Sequence, residues 1–375
     1  MVIGIDASRA VTGRRTGTEA YAYFLIRALI PPAGEAGHTL RLYFNQKPAV
    51  DLFPKASHVE HKVLAFPRLW THLRLGRELR RHPPDVFFTP AHVIPAGYHQ
   101  PAVATVHDLG YLSFPEAHTR RQVAYLRWST RHNVRHSRPV ITDSAATRDD
   151  LIRLWDVKPE RIKVIYPGID PALRPIRDTG QLMAVQNKFG IRPPYLLHIG
   201  TIQPRKNLAR LIDAFAASGL THQLVLAGGM GWRSESILRR IDEQEPGVRE
   251  RIILPGYFDE DNKGALISGA DALVYPSLYE GFGFPLVEAN VCGTPVLGAD
   301  TSSLPEIAGG SAGEAGQMAA LLVDPLDTEA LRQGLLQVAG DEALRKRLVA
   351  AGLVNSRRFS WQQTAREVLE ALVGE

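Results

Sequence analysis

The sequence predicts an α/β protein built from two Rossmann-like, doubly wound domains. Short apolar runs alternate with helical patterns, the alternation restarts near residue 195, and a stretch with several prolines and glycines, 171–194, separates the two series. Strands alternating with helices form parallel sheets covered on both faces. A chain of 375 residues also exceeds what one hydrophobic core usually organises.

The first series is VIGID at the start, LRLYF at 40–44, DVFFT at 85–89, AVATVHD at 102–108, PVITD at 139–143 and IKVIYP at 162–167, with helical patterns at 19–29 and 120–136. Each run is short and apolar, as a strand buried on both faces requires. The second series is YLLHIGT at 195–201, QLVLAGG at 223–229, RIILPGY at 251–257, ALVYPS at 272–277, TPVLGAD at 294–300 and ALLVDP at 320–325, with a helix at 207–217. The expected organisation is an N-terminal domain at 1–170, a linker at 171–184, a C-terminal domain at 185–355 and a final segment at 356–375. Within that segment WQQTAREVLEAL, 361–372, has helical apolar spacing. In open sheets of this kind ligands bind beyond the carboxyl ends of the strands, so the informative residues are those that follow strands.

Composition narrows the class. With 45% apolar and 22% charged residues the chain reads as a soluble globular enzyme. Its one cysteine, Cys292, excludes a disulfide framework or a thiolate metal cluster and fits a reducing cytosol, so the expected localisation is cytoplasmic. The opening MVIGIDASRA lacks the basic and long apolar regions of a secretory signal, and no window approaches an uninterrupted membrane span. Residues 1–170 carry 24 Lys and Arg against 15 Asp and Glu, a net +9, which leaves a net −4 for the rest. A basic half meets anionic partners, so peripheral contact of the N-terminal domain with the inner membrane face stays open. The arginines at 74–81 and 120–138 come without a nucleic-acid-binding module or an interleaved aromatic platform, and no nucleic acid is expected.

Two constellations follow strands of the second series. Three residues beyond Gly200 begins QPRKNL, which puts Arg205 and Lys206 beside a helix starting near Asn207; two cations and free backbone N–H groups there form a site for a diphosphate, or else a solvated helix entrance. After ALVYPS and Leu278 comes YEGFGFPLVEANVCGTP. Gly281 and Gly283 let backbone amides approach a ligand, Pro285 suits a first helical turn, and Glu288 in or near that turn is placed to accept both hydroxyls of a ribose diol. Glu280, on the loop side, is placed for the hydroxyls of a second ring.

The segment PSLYEGFGFPLVEANVCGTPVLGADTSSLPE resembles the signature of retaining, nucleotide-sugar-dependent glycosyltransferases of family 4, including their pair of glutamates eight residues apart. HIGTIQPRKNLARLIDAF, VIYPGID, TVHDLGYLSFPE and RTGTEAYAYFLIRAL resemble further segments of the same family, so the likeness runs over most of the chain. The resemblance implies the GT-B fold, two Rossmann-like domains facing across a cleft, the N-terminal one binding the acceptor and the C-terminal one the nucleotide-sugar donor, with the last helix crossing back to the N-terminal domain. It implies that Glu288 holds the donor ribose, Glu280 the transferred sugar, the amides of Phe282 and Gly283 the sugar and phosphate, and Arg205 and Lys206 the leaving diphosphate. His107 is implied to contact the donor sugar and Gly17 to approach the diphosphate, although Gly17 stands in GTEAY rather than the commoner G-x-G-x-Y form.

The expected activity is therefore transfer of a hexose, mannose favoured, from GDP-mannose or else a UDP-hexose to a glycan or lipid-linked acceptor. Cations and a helix N-terminus can stabilise the departing diphosphate without a metal, so no cofactor is expected. Asp259 and Asp261 match a metal-binding D-x-D literally but read as the acidic entrance of a helix. Two alternatives remain: a glycoside hydrolase using the two glutamates, and a sugar-nucleotide binding protein without turnover.

Overall fold

The structure, a computed structural model, describes residues 1–11, 17–66, 68–309 and 318–374. It separates into two compact units, one of Met1–Leu112, Arg120–Gly168 and Phe359–Glu375, the other of Ser113–Thr119 and Ile169–Arg358.

The first unit holds β1 (Val2–Asp6), β2 (Thr39–Phe44), β3 (Val59–Val63), β4 (Val86–Thr89), β5 (Ala102–Val106), β6 (Val140–Thr142) and β7 (Ile162–Val164) in the order β3-β2-β1-β4-β5-β6-β7. Every pairing is parallel. The central β4 and β5 are buried at every position, which is why they read as continuous apolar runs. The edge strand β3 was not predicted. Its sequence VEHKV is polar and largely exposed, the usual guard of a sheet edge, and carries no apolar signal.

One face of this sheet is covered by the Gly17–Glu35 helix and by the last helix, Trp361–Val373, through Leu25, Ile26 and Leu29 on one and Trp361, Val368 and Leu372 on the other. Trp361 stacks on Phe24 at 5.7 Å between ring centroids, and Thr364 Oγ1 donates to the Tyr166 carbonyl at 2.7 Å. The chain approaches so closely here that a Cβ at Gly168 would lie 2.2 Å from the Trp361 nitrogen.

The second unit holds β8 (Tyr195–Ile199), β9 (Gln223–Ala227), β10 (Ile252–Gly256), β11 (Ala272–Tyr275), β12 (Val296–Ala299) and β13 (Leu321–Val323) in the order β10-β9-β8-β11-β12-β13, again all parallel. The strand order reverses between β8 and β11. That switch point opens a crevice at the carboxyl edge, and both sequence constellations follow these two strands. Upstream, residues 179–189 form a helix whose first turn is capped by Asp178 Oδ1, accepting from Gln181 N at 2.8 Å, and which Gly190 ends in the left-handed region.

Candidate active site

Residues 204–206 form a single 3₁₀ turn after β8, and Asn207, left-handed at φ 59°, leads into the Leu208–Ser218 helix. The turn is tied to the loop after β11, because Leu278 N donates to the Arg205 carbonyl at 2.9 Å and the Arg205 guanidinium donates to the Tyr279 carbonyl. The two constellations thereby become one site. Arg205 Nη1 lies 3.2 Å from Glu280 Oε2, while Lys206 Nζ bonds Glu280 Oε1 and donates to the Tyr275 hydroxyl at 3.0 Å. Lys206 and Glu280 are both buried. Burial alone would raise the Glu280 carboxyl, but Lys206 and Arg205 outweigh it and hold the group down at about 2. Two cations against one carboxylate leave the cluster with a surplus positive charge.

Glycines let the backbone close around this cluster. Gly228, after β9, has φ 150° and a Cβ there would meet the Gly200 carbonyl oxygen at 2.0 Å. Gly283 has φ 105° and marks the start of the Phe284–Cys292 helix, with Pro285 in the first turn. Gly281 and Phe282 are buried beside it. The loop is pinned from the following segment: Glu280 N donates to Ser302 Oγ at 2.9 Å, and Ser303 Oγ lies 3.0 and 2.8 Å from the carbonyls of Glu280 and Phe282.

Glu288 stands one residue beyond the first turn of its helix, which contains no acid, so its charge is met by a side chain rather than by the helix terminus. Lys263 Nζ lies 3.0 Å from Glu288 Oε1 and 2.7 Å from Glu260 Oε2. Burial lowers the Lys263 ammonium, yet the two carboxylates carry it above its ordinary value. Glu260 and Asp261 occupy the first turn of the Glu260–Ser268 helix, and Asp259 lies 3.8 Å from Lys188 Nζ.

In the first unit His107 follows β5 and is partly buried. Its Nδ1 lies 2.6 Å from Asp143 Oδ2 and its Nε2 lies 2.8 Å from the Pro90 carbonyl, so both ring nitrogens face acceptors. Burial pulls the imidazole down, but Asp143 outweighs it and the group is raised. Gly17 is the exposed first residue of its helix; the preceding residues of the glycine loop, 12–16, lie outside the described residues.

Four side chains of these networks went unread in the sequence: Asp143, Lys263, Tyr275 and His198. Tyr275 and His198 lie inside predicted strands, where an apolar run hides an occasional polar group. His198 Nδ1 donates to the Val274 carbonyl at 3.0 Å, and burial, with the charge of Lys206 in the same direction, pushes the ring down to about 4. It is therefore neutral, and among the described residues its Nε2 has no partner. A Cβ at Gly200 would lie 3.3 Å from that nitrogen, so the glycine leaves the ring room.

Comparison with known proteins agrees along the chain. A family profile described as "Glycosyl transferases group 1" matches residues 183–353, and one described as "Glycosyltransferase Family 4" matches residues 15–173. O-antigen chain mannosyltransferase B of Escherichia coli is 31% identical over 276 residues, covering 72% of this chain and 69% of that protein. The serotype-specific mannosyltransferase WbdA of Escherichia coli is 28% identical over 235 residues, covering 61% of this chain but only 28% of its own length. Among solved structures, the sucrose-phosphate synthase from Thermosynechococcus elongatus aligns with a TM-score of 0.76 at 20% identity, covering 98% of this chain and 97% of that one. Anabaena HepE in complex with UDP-glucose aligns with a TM-score of 0.73 at 19% identity, covering 100% and 99%.

Proposed function

The chain belongs to glycosyltransferase family 4, with the GT-B fold, and from that premise we propose that it moves a hexose, mannose before others, from a nucleoside diphosphate sugar to a glycan or lipid-linked acceptor with retention of configuration. The observation that carries the proposal is the Arg205–Lys206–Glu280 cluster, with Lys206 and Glu280 buried, at the switch point of the second unit. Its surplus positive charge meets the diphosphate, whose own charge grows as the bond from C1 to its oxygen breaks and the electron pair leaves with it. A new bond then forms from C1 to an acceptor hydroxyl on the same face, and the hydroxyl proton passes to the departing diphosphate. Glu280 accepts hydroxyls of the transferred ring, Glu288 those of the ribose, and the amides of Phe282 and Gly283 lie along the sugar and phosphate. Gly200 leaves room for the diphosphate.

GDP-mannose is the proposed donor, supported by the two mannosyltransferase relatives; a UDP-hexose ranks second, supported by the UDP-glucose complex of HepE. A thermal-shift panel of nucleotide sugars followed by transfer assays tests the assignment, with the largest stabilisation expected from GDP-mannose. Because the charge is met by side chains and backbone dipoles, transfer should survive EDTA. A loss of more than about tenfold, restored by Mg²⁺ or Mn²⁺, would put a metal at Asp259 and Asp261 instead.

The chain is further proposed to work at the cytoplasmic face of a membrane. No helix of the described residues is long and apolar enough to cross one. The Arg120–His136 helix, however, carries five arginines and no acid, and it exposes Trp128, as the neighbouring Thr71–Leu75 turn exposes Leu73. Arginines around an exposed indole suit an anionic lipid surface.

A further inference from the structure

Lys263 stands where a lysine is costly. It belongs to the Glu260–Ser268 helix that follows β10, and its side chain, only 13% exposed, reaches the helix that follows β11, where its Nζ donates to Glu288 Oε1 at 3.0 Å. Its other partner, Glu260 Oε2 at 2.7 Å, lies three residues earlier on its own helix and is 45% exposed. A pair with Glu260 alone could stand in solvent with little desolvation. The pair with Glu288 takes two charges out of water, an exchange that rarely stabilises a fold more than apolar packing would. Such a lysine is explained better by what it presents to a ligand than by what it holds together.

Two carboxylates to one ammonium leave this corner with a surplus negative charge. Burial works against the charge of Lys263, but Glu288 and Glu260 outweigh it, so the ammonium stays charged. An ammonium has three N–H donors, and each carboxylate oxygen accepts more than one hydrogen bond. Two contacts therefore leave Lys263 one N–H over, and they leave Glu288 its Oε2. Lys263 and Glu288 keep 13% and 10% of their side-chain surface exposed, so neither is sealed from a ligand. An anionic acceptor and a cationic donor 3.0 Å apart suit a hydroxyl group, which gives its proton to the first and accepts at its own oxygen from the second. An ether or carbonyl oxygen meets only half of that pair.

We propose that Lys263 is a second ribose-binding residue of the donor site: where Glu288 accepts from a hydroxyl of the ribose diol, the Lys263 ammonium donates to the oxygen of that same hydroxyl, and the pair selects ribonucleotides over deoxyribonucleotides. This rests on the reading that Glu288 holds the ribose. Glu260 shares the ammonium and keeps it from neutralising Glu288 altogether, so the carboxylate remains a strong acceptor.

Calorimetry of the full chain with GDP, 2′-deoxy-GDP and 3′-deoxy-GDP tests it, the uridine series taking their place should the protein bind UDP instead. The wild-type protein should bind GDP at least about tenfold more tightly than one of the deoxy nucleotides. Lys263→Met should shrink that ratio about fivefold, whereas loss of a merely structural contact would weaken all three nucleotides alike. Because Lys263→Met leaves Glu288 buried without its cation, the comparison is repeated on a neutral background: Glu288→Gln should keep part of the preference through Lys263, and the double variant Glu288→Gln/Lys263→Met should lose it. A Lys263→Met ratio equal to the wild-type one, or the same ratio in Glu288→Gln and the double variant, would overturn the Lys263 contact; the ribose reading survives that result if Glu288→Gln still lowers the ratio. Equal binding of GDP and both deoxy nucleotides by the wild-type protein would overturn both contacts, and a protein that binds neither GDP nor UDP would remove the donor reading beneath them.

Discussion

Glu280 is the residue around which the second unit's chemistry is arranged. Its carboxylate meets Lys206 and Arg205, which lie 74 and 75 residues earlier in the chain. From the sequence each could be placed at a strand's carboxyl end, because the strand and the glycines announce that position. Their mutual ion pair could not, since side-chain direction across a switch point leaves no periodic trace. His107 shows the same limit: the histidine stood out, whereas its partner Asp143, after a different strand, did not. That contact yields a pH prediction. The folded-state pKa of His107 is raised, so the stability it lends is fully present below the unfolded value of about 6.5 and is lost as pH rises through the folded value. The melting-temperature gap between the wild-type protein and His107→Gln should correspond to about 1–3 kcal/mol at mildly acidic pH and narrow as the pH is raised. A gap that stays constant with pH would contradict the charged pairing.

At the scale of elements, the loop 279–283 is where backbone conformation and chemistry meet. The sequence showed the glycines but not how tightly the loop is held from residues 302–304, a dependence visible only once Ser302, Ser303 and Leu304 are in place. A Cβ at Gly283 would lie 2.6 Å from Leu304 Cδ2, at a φ of 105° that side chains rarely adopt. Gly283→Ala should therefore cost about 1–3 kcal/mol of stability and weaken donor binding as well, because the same shift moves the Phe282 and Gly283 amides. Thermal melts and calorimetry with GDP read the two effects, and an alanine variant that keeps both wild-type values would show the loop conformation to be unimportant. Strands were legible wherever both faces are covered. The edge strand β3 and the π-helical turn Thr71–Leu75, which carry no apolar period, were not.

For the whole molecule, the division of charge in the sequence has a structural counterpart in the arginines of the first unit, 120–136 above all. Binding to anionic vesicles should fall steeply as salt rises toward a Debye length of about 8 Å, and Trp128→Ala should weaken it at every salt concentration. Co-sedimentation that ignores both salt and the tryptophan would remove the membrane from the proposal. The two-sheet plan was legible because each sheet repeats one alternation. The grouping of Ser113–Thr119 with the second unit left no such mark, since a seven-residue excursion has no period to read.

The central claim is that the nucleotide is held within the second unit and that the two glutamates divide it, Glu288 taking the ribose and Glu280 the sugar. Calorimetric affinity of the full chain for bare GDP tests this most directly, with UDP as the substitute should the donor panel select it. Glu288→Gln should weaken binding by about 1.5–3 kcal/mol through one lost charged acceptor. Glu280→Gln should leave it unchanged or tighter, because Lys206 and Arg205 are released toward the diphosphate. His107→Ala, in the first unit, should not move it. Equal weakening by Glu280→Gln and Glu288→Gln, or a loss in His107→Ala as large as that in Glu288→Gln, would contradict the division.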